Sequence, residues 1–188
     1  ASTEVVRNVA ENMMTPVVQL MKKKGNEYKG FMYAGCMMTQ EGPKIIEFNI
    51  RFGDPECQPA MMMIKNGLYQ PLSLALEGKL DEINIEFNQG GANCVVLASQ
   101  GYPGDYEKGL PITGIDDANS LPGVKVFHAG TKKDNKDIVT AGGRVLGVTA
   151  YSKHGIQAAQ TQSYKAVSAI NIPNGFAYRL DIGDKGIT

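Results

Sequence analysis

The chain carries no net charge: nineteen Lys and Arg residues balance nineteen Asp and Glu residues over 188 positions. A nucleic-acid binder leaves a footprint of clustered positive charge, and that balance removes it. The one basic run, Lys22-Lys23-Lys24, precedes Gly25 where a helix would end. Cations there complement the helix dipole, so the run reads as a solvated cap. Long apolar runs are missing as well. None approaches the length of a membrane span, and the first residues lack a signal peptide's apolar core, so no membrane partner is expected. Cysteine is scarce: Cys36, Cys57 and Cys94 are odd in number, far apart and set among apolar or small residues. That excludes a disulfide framework and a thiolate metal site, and predicts buried, reduced thiols in a cytoplasmic protein. Two histidines, His128 and His154, build neither a zinc site nor a triad, and no Gly-x-Ser-x-Gly occurs. Also absent are a Gly-x-x-x-x-Gly-Lys-Ser/Thr phosphate loop and a Gly-x-Gly-x-x-Gly turn.

What is present reads as α+β. Ser2 to Lys24 has the apolar spacing of an amphipathic helix capped at Ser2 or Thr3, with a kink or break expected at Pro16. A strand over Gly30 to Thr39, a four-residue loop at Gln40-Glu41-Gly42-Pro43 and a strand over Lys44 to Ile50 suggest a hairpin. Pro55 is expected in the first turn of an apolar helix running through Met61-Met62-Met63-Ile64. A second helix, Leu68 to Glu77, ends at Gly78, and Asp81 to Phe87 alternates as a strand. Gly90-Gly91 is the best boundary, which predicts domains 1–90 and 91–188, each with its own core. The second is a small sheet-plus-helix domain. Its expected strands lie at Ala92 to Ala98, near Ile112, at Val124 to His128, at Arg144 to Ala150 and at Phe176 to Arg179. A hairpin is expected over Thr131 to Thr140 and a helix over Lys153 to Asn171, with His154 on the surface at its start.

Chemistry concentrates in Glu47-Phe48-Asn49-Ile50-Arg51-Phe52-Gly53-Asp54-Pro55-Glu56. On a strand, side chains two apart share a face. Ile46 and Phe48 would seek a core, while Glu47, Asn49 and Arg51 form one polar row. Glu47 and Asn49 offer two oxygen ligands suited to a hard metal such as magnesium, which keeps phosphate oxygens in its shell. Arg51 could grip a phosphate or carboxylate in bidentate fashion, or pair with Asp54 or Glu56. Asp54 and Glu56 could orient an amine or take its proton; equally, Asp54 could cap the helix that follows. In the second domain Ser99 and Arg144 are further candidates. Gly142-Gly143 before Arg144 would let backbone come near a ligand, although such a pair is also an ordinary turn.

The decapeptide closely resembles the signature of the phosphoribosylamine–glycine ligases, an ATP-grasp family of purine synthesis also called glycinamide ribonucleotide synthetases. Further blocks resemble that family in the same order: Tyr28 to Gly35, Val95 to Gly104, Tyr106 to Gly109, Val126 to Thr131, Gly142 to Ala150 and Tyr178 to Gly183. The resemblance covers the C-terminal half of such an enzyme and implies the C-terminal part of an ATP-grasp fold followed by a small α+β domain. It implies that Glu47 and Asn49 bind the divalent metal, Mg2+ or Mn2+, on the phosphates of ATP. Arg51 would serve the transferring phosphoryl group as both catalytic and cofactor-binding residue. By similarity with the wider superfamily, Ser99 and Arg144 approach the active-site cleft. The small-molecule substrates implied are glycine and 5-phosphoribosylamine, and the missing N-terminal half of the enzyme is the implied protein partner, with no nucleic acid. That half carries the loop over the triphosphate and the phosphate-binding lysine. Tyr33-Ala34-Gly35-Cys36-Met37 offers no extra carboxylate, Met61-Met62-Met63 replaces a more varied run, and Asn66-Gly67 replaces the family's usual Ser-Asp. A related ATP-grasp carboxylase is one alternative. Another is a non-catalytic binding module that keeps an ATP-grasp-derived fold.

Overall fold

A computed structural model describes residues 2–187. The chain forms two compact units: Ala1–Gly53 with Gly67–Ile85, and Asp54–Asn66 with Glu86–Thr188.

In the first unit the Oγ of Ser2 accepts from the Val5 amide at 3.4 Å and so caps α1 (Thr3–Asn8). Val9–Met14 winds as a π-helix, and α2 (Thr15–Lys23) resumes with Pro16 in its first turn. Pro16 has no N–H to give the Asn12 carbonyl and crowds it, and the wider π ladder relieves both. β1 (Tyr33–Thr39) pairs antiparallel with β2 (Gly42–Asn49). The loop is two residues rather than four. Gly42 pairs with Thr39, and its φ of +98° closes the turn early, a conformation open chiefly to glycine. The register slips between Gly35 and Cys36, leaving Ile46 of β2 without an opposite residue. The chain leaves this unit for α3 (Cys57–Met63) and returns for α4 (Tyr69–Glu77), which ends as expected at Gly78, in the left-handed region at φ +75°.

Two expectations fail in this stretch. Asp81 to Phe87 is no strand: Leu80–Glu82 forms a 3-10 turn, and Phe87 makes one isolated bridge, to Ile64. No strand lies beside Ile83 and Ile85 among the described residues; the Glu86 amide donates to Asn66 Oδ1 and its carbonyl accepts from the Lys65 amide. Nor does the first unit bury a core of its own. Of its described apolar side chains only Pro71 is buried; Ile46 is 64% exposed and Phe48 37%. Its apolar contacts include the Phe31–Phe52 ring pair, with centroids 3.9 Å apart, and a groove of about 290 Å³ lined by Phe31, Met32, Pro71, Leu72 and Ile85.

The second unit holds the core. β3 (Gly91–Ser99), α5 (Ile115–Asn119), β4 (Val124–His128), β5 (Thr131–Asp134), β6 (Asp137–Thr140), β7 (Arg144–Ser152), α6 (Ile156–Val167) and β8 (Phe176–Ala177) follow in chain order. The main sheet runs β4-β7-β3-β8, all antiparallel, and β5-β6 is a separate hairpin. Asn93 donates to the Ser163 hydroxyl of α6 at 2.8 Å. The next residue, Cys94, faces Gly147 beside Gln58 of α3. Successive strand residues point to opposite faces, so α6 and α3 cover opposite sides of the sheet. On the α6 side Val95, Leu97, Leu146, Val148 and Ala150 pack with Ala166 and Val167, most of them wholly buried. Each such Val or Leu contributes about 1.5–3 kcal/mol by leaving water.

The α6 helix is shorter than expected at both ends, and exposed His154 precedes it. Around Ile112 only isolated bridges form, Pro111 to Val139 and Thr113 to Asn171; α5 was not foreseen. Gly90-Gly91 is tightly packed rather than a loose linker. A Cβ on Gly90 would stand 2.2 Å from the Ser152 carbonyl, and one on Gly91 2.6 Å from the Ile156 nitrogen. Among the described residues no helix is long and apolar enough to cross a membrane.

Candidate functional site

The first unit carries the polar row. Gly35 stands opposite Glu47 in the hairpin, and a Cβ there would lie 3.1 Å from Glu47 Cγ. Glycine at that register gives the Glu47 side chain room across β1. Asn49 Nδ2 donates to Glu47 Oε1 at 3.0 Å. The bond aligns the carboxamide with the carboxylate and leaves Asn49 Oδ1 and Glu47 Oε2 without a partner inside the pair. The two oxygen-bearing groups are therefore together, as their spacing predicted. Among the described residues no group of three His, Cys, Asp or Glu side chains is placed to hold a metal ion. Oxygen donors of this kind fit a hard divalent cation whose remaining positions go to water or phosphate. Arg51 Nη1 donates to the Phe52 carbonyl at 2.8 Å. Among the described residues of its own unit it makes no ion pair.

The second unit carries the other candidates. Asp54 pairs with Arg144: Nη1 donates to Asp54 Oδ2 at 3.2 Å and to the Asp54 carbonyl at 2.9 Å. A register slip between Leu97 and Ala98 leaves Val145 without an opposite residue, immediately after Arg144. Bulges commonly re-aim a neighbouring side chain, and Glu47 follows one just as Arg144 precedes one. The hydrogen bond to Asp54 raises the Arg144 pKa above the ordinary guanidinium value, with a further contribution from the Tyr102 hydroxyl. Both partners are about half exposed, so the pair adds little to stability, about 0–1 kcal/mol. Its value is geometric.

Asp54 does not cap the helix, one of the two roles open to it. The helix begins at Cys57, later than Pro55, with Glu56 at the N-cap position and no side-chain cap bond. The second Asp54 oxygen, Oδ1, accepts instead from Gln58 Nε2 at 3.2 Å. Glu56 is exposed and has no side-chain hydrogen bond or ion pair among the described residues. Ser99 is buried, and its hydroxyl donates to the Gly142 carbonyl at 2.9 Å while its amide bonds the Gly143 carbonyl at 2.7 Å. It also lines a cavity of about 190 Å³ with Glu107, Thr140 and Asn174.

The pair Gly142-Gly143 serves packing. A Cβ on Gly143 would fall 2.1 Å from the Tyr102 ring, and one on Gly142 3.1 Å from Gly130 Cα. Of the thiols only Cys94 is fully buried; Cys36 and Cys57 are half-buried. Burial pushes the Cys94 thiol up to about 11, and burial together with the Asp54 charge raises that of Cys57. Neither is poised as a nucleophile. Sequence reading passed over Gln58, although its place four residues after Asp54 is the spacing at which helical side chains meet.

Comparison with known proteins covers most of the chain. Residues 92–185 match the model of the phosphoribosylglycinamide synthetase C domain, and residues 1–57 match that of the phosphoribosylglycinamide synthetase ATP-grasp (A) domain. A phosphoribosylamine–glycine ligase of Rhodopirellula baltica is 48% identical over 98% of this chain and 42% of its own length. A chloroplastic phosphoribosylamine–glycine ligase of Arabidopsis thaliana is 45% identical over 93% of the chain and 33% of its own. In the human trifunctional purine biosynthetic protein adenosine-3 the identity is 42%, over 99% of the chain and 18% of that protein. The crystal structure of a phosphoribosylamine–glycine ligase from Thermotoga maritima superposes with a TM-score of 0.80 at 28% identity, covering 96% of this chain and 44% of that one. The chain thus spans less than half the length of the relatives it matches.

Proposed function

Because this chain belongs to the phosphoribosylglycinamide synthetase family, we propose that it supplies the metal-holding strand and the C-terminal domain of an ATP-dependent ligase joining glycine to 5-phosphoribosylamine. Residues 1–90 form the second part of its ATP-grasp domain and residues 91–188 its C-terminal α+β domain, a division supported by the stretches that the two family models match. In the complete ligase ATP phosphorylates the glycine carboxylate. The amine then attacks the acyl phosphate, and glycinamide ribonucleotide, ADP and phosphate leave.

The observation that carries this reading is the Asn49–Glu47 hydrogen bond of 3.0 Å, which sets two oxygen donors side by side. Those two residues would hold Mg2+ or Mn2+. When bound, the ion neutralises charge on the nucleotide's phosphate oxygens. Arg51, free of ion pairs among the described residues of its own unit, offers an always-charged planar fork to the moving phosphoryl group. Asp54, fixed by Arg144, accepts an N–H of the attacking amine and so orients it. Ser99 acts through the Gly142 carbonyl, holding the turn that presents Arg144.

The test is a metal titration of the complete ligase carrying Glu47→Ala or Asn49→Ala, beside a thermal melt. Both residues sit on an open strand, so melting should stay within about 0.5 kcal/mol of the parent. The metal needed for half-maximal turnover should rise at least about tenfold, as loss of a liganding oxygen requires. Unchanged metal dependence, or an unfolded variant, removes the assignment.

A further inference from the structure

Gln58 stands at the second position of α3 and is the least comfortable polar side chain among the described residues. Its Nε2 donates to Asp54 Oδ1 at 3.2 Å, while its Oε1 is buried with no hydrogen-bond partner. A buried amide oxygen left unpaired costs about 1–3 kcal/mol. Turning the amide over does not help. Oε1 would then face the carboxylate, and an NH2 group with two protons would be orphaned in its place. The side chain is closely packed all the same. A Cβ on Gly147 would press on Cys94 Sγ at 3.2 Å and meet Gln58 Cγ and Nε2 at 3.7 Å, ordinary van der Waals distance, so the amide packs directly over Gly147.

The arrangement has one evident beneficiary. Arg144 takes Asp54 Oδ2 and the Asp54 carbonyl, and Gln58 takes Oδ1. Both oxygens are thus anchored, one from β7 and one from α3, and the two bonds oppose rotation of the carboxylate about its terminal bond. Yet the Asp54 side chain remains about half exposed, open to a ligand. An apolar side chain of the same length would fill the same space without orphaning an oxygen, and stability alone would favour it. A costly amide whose side-chain hydrogen bond fixes a half-exposed acid is the pattern of a working site.

We propose that Gln58 is the positioning residue of Asp54, locking the carboxylate in the orientation that accepts an N–H of the amine substrate. The proposal rests on the ligase reading given above. Three forms of the complete ligase test it: the parent, Gln58→Met and Gln58→Glu, each measured for melting temperature and for the kinetics of amine and of ATP. The methionine variant should melt at the parent temperature or above. Its kcat/KM for the amine should fall about 100-fold, the loss expected when a reacting group is misplaced by about 1 Å, with the KM for ATP unmoved. In the glutamate variant a second carboxyl faces Asp54. It donates while protonated and repels once ionised, so kcat/KM for the amine should gain a limb that falls with rising pH and is absent from the parent.

A methionine variant that melts lower and keeps parental amine kinetics makes Gln58 a structural residue. A glutamate variant with the parent's pH profile overturns the proposal even where the methionine variant fails to fold. A parent ligase that does not join glycine to phosphoribosylamine refutes the ligase reading instead, and the two failures are thereby told apart.

Discussion

Arg51 stands two residues past β2, with its guanidinium bonded, among the described residues, only to the Phe52 carbonyl, so exchanging it should leave the fold alone. Lysine there keeps the charge and loses the planar fork. If Arg51 serves the transferring phosphoryl group, turnover of the Arg51→Lys ligase falls about 100- to 1000-fold, or about 3–4 kcal/mol of transition-state stabilisation. The KM for ATP moves much less, because an interaction made mainly in the transition state does not hold the ground state. Steady-state kinetics on the lysine and alanine variants, with melting curves for both, decide the matter; near-normal turnover of the lysine variant removes Arg51 from the mechanism. The neighbourhood of Glu47 and Asn49 was legible because two residues apart on a strand means one face. The partnership of Asp54 with Arg144 was not, since it spans 90 residues of sequence. No local pattern encodes a contact that only the folded sheet creates, and the nearer Arg51 was the natural candidate.

Among elements, strands with strong apolar character were read well. Val95 to Leu97 and Val145 to Val148 are apolar without interruption because both faces of β3 and β7 are covered. Alternating or short segments were misread. Asp81 to Phe87 has strand periodicity but no neighbour to pair with, and α5 has five residues, too few to show a period. The glycines were legible as turn markers but not as packing sites. Gly109 and Gly114 have nearly the same backbone, φ +82° and +81°, but nothing lies within 4 Å of a Cβ on the first, whereas on the second it would meet the Ala169 carbonyl at 1.8 Å. Gly109→Ala should therefore cost about 1–2 kcal/mol, the penalty of the left-handed conformation alone. Gly114→Ala should cost about 1–3 kcal/mol more, for crowding. Urea denaturation ranks the two; equal losses would mean that the Ala169 carbonyl yields freely.

For the molecule as a whole, burial is divided unequally between the units. The residues of the hydrophobic cluster all belong to the second, and among its described apolar side chains the first buries only Pro71. Local opening follows buried apolar contact. Amide hydrogen exchange on this chain should therefore find its slow positions in β3, β7 and α6, with α1, α2 and the β1-β2 hairpin exchanging orders of magnitude faster. Comparable protection in both units would mean that the hairpin draws stability from somewhere other than burial. That hairpin has a further property. Its sheet has two strands, so each presents an outer rim of backbone donors and acceptors. β2 guards its rim with Pro43, Lys44 and Glu47, while Tyr33-Ala34-Gly35-Cys36-Met37-Met38-Thr39 has neither a charge nor a proline, and more than half the surface of Met37 and Met38 is open to solvent. Such a rim is a template for its own kind, and in a concentrated solution of this chain β1 is where one molecule would begin to copy itself onto the next.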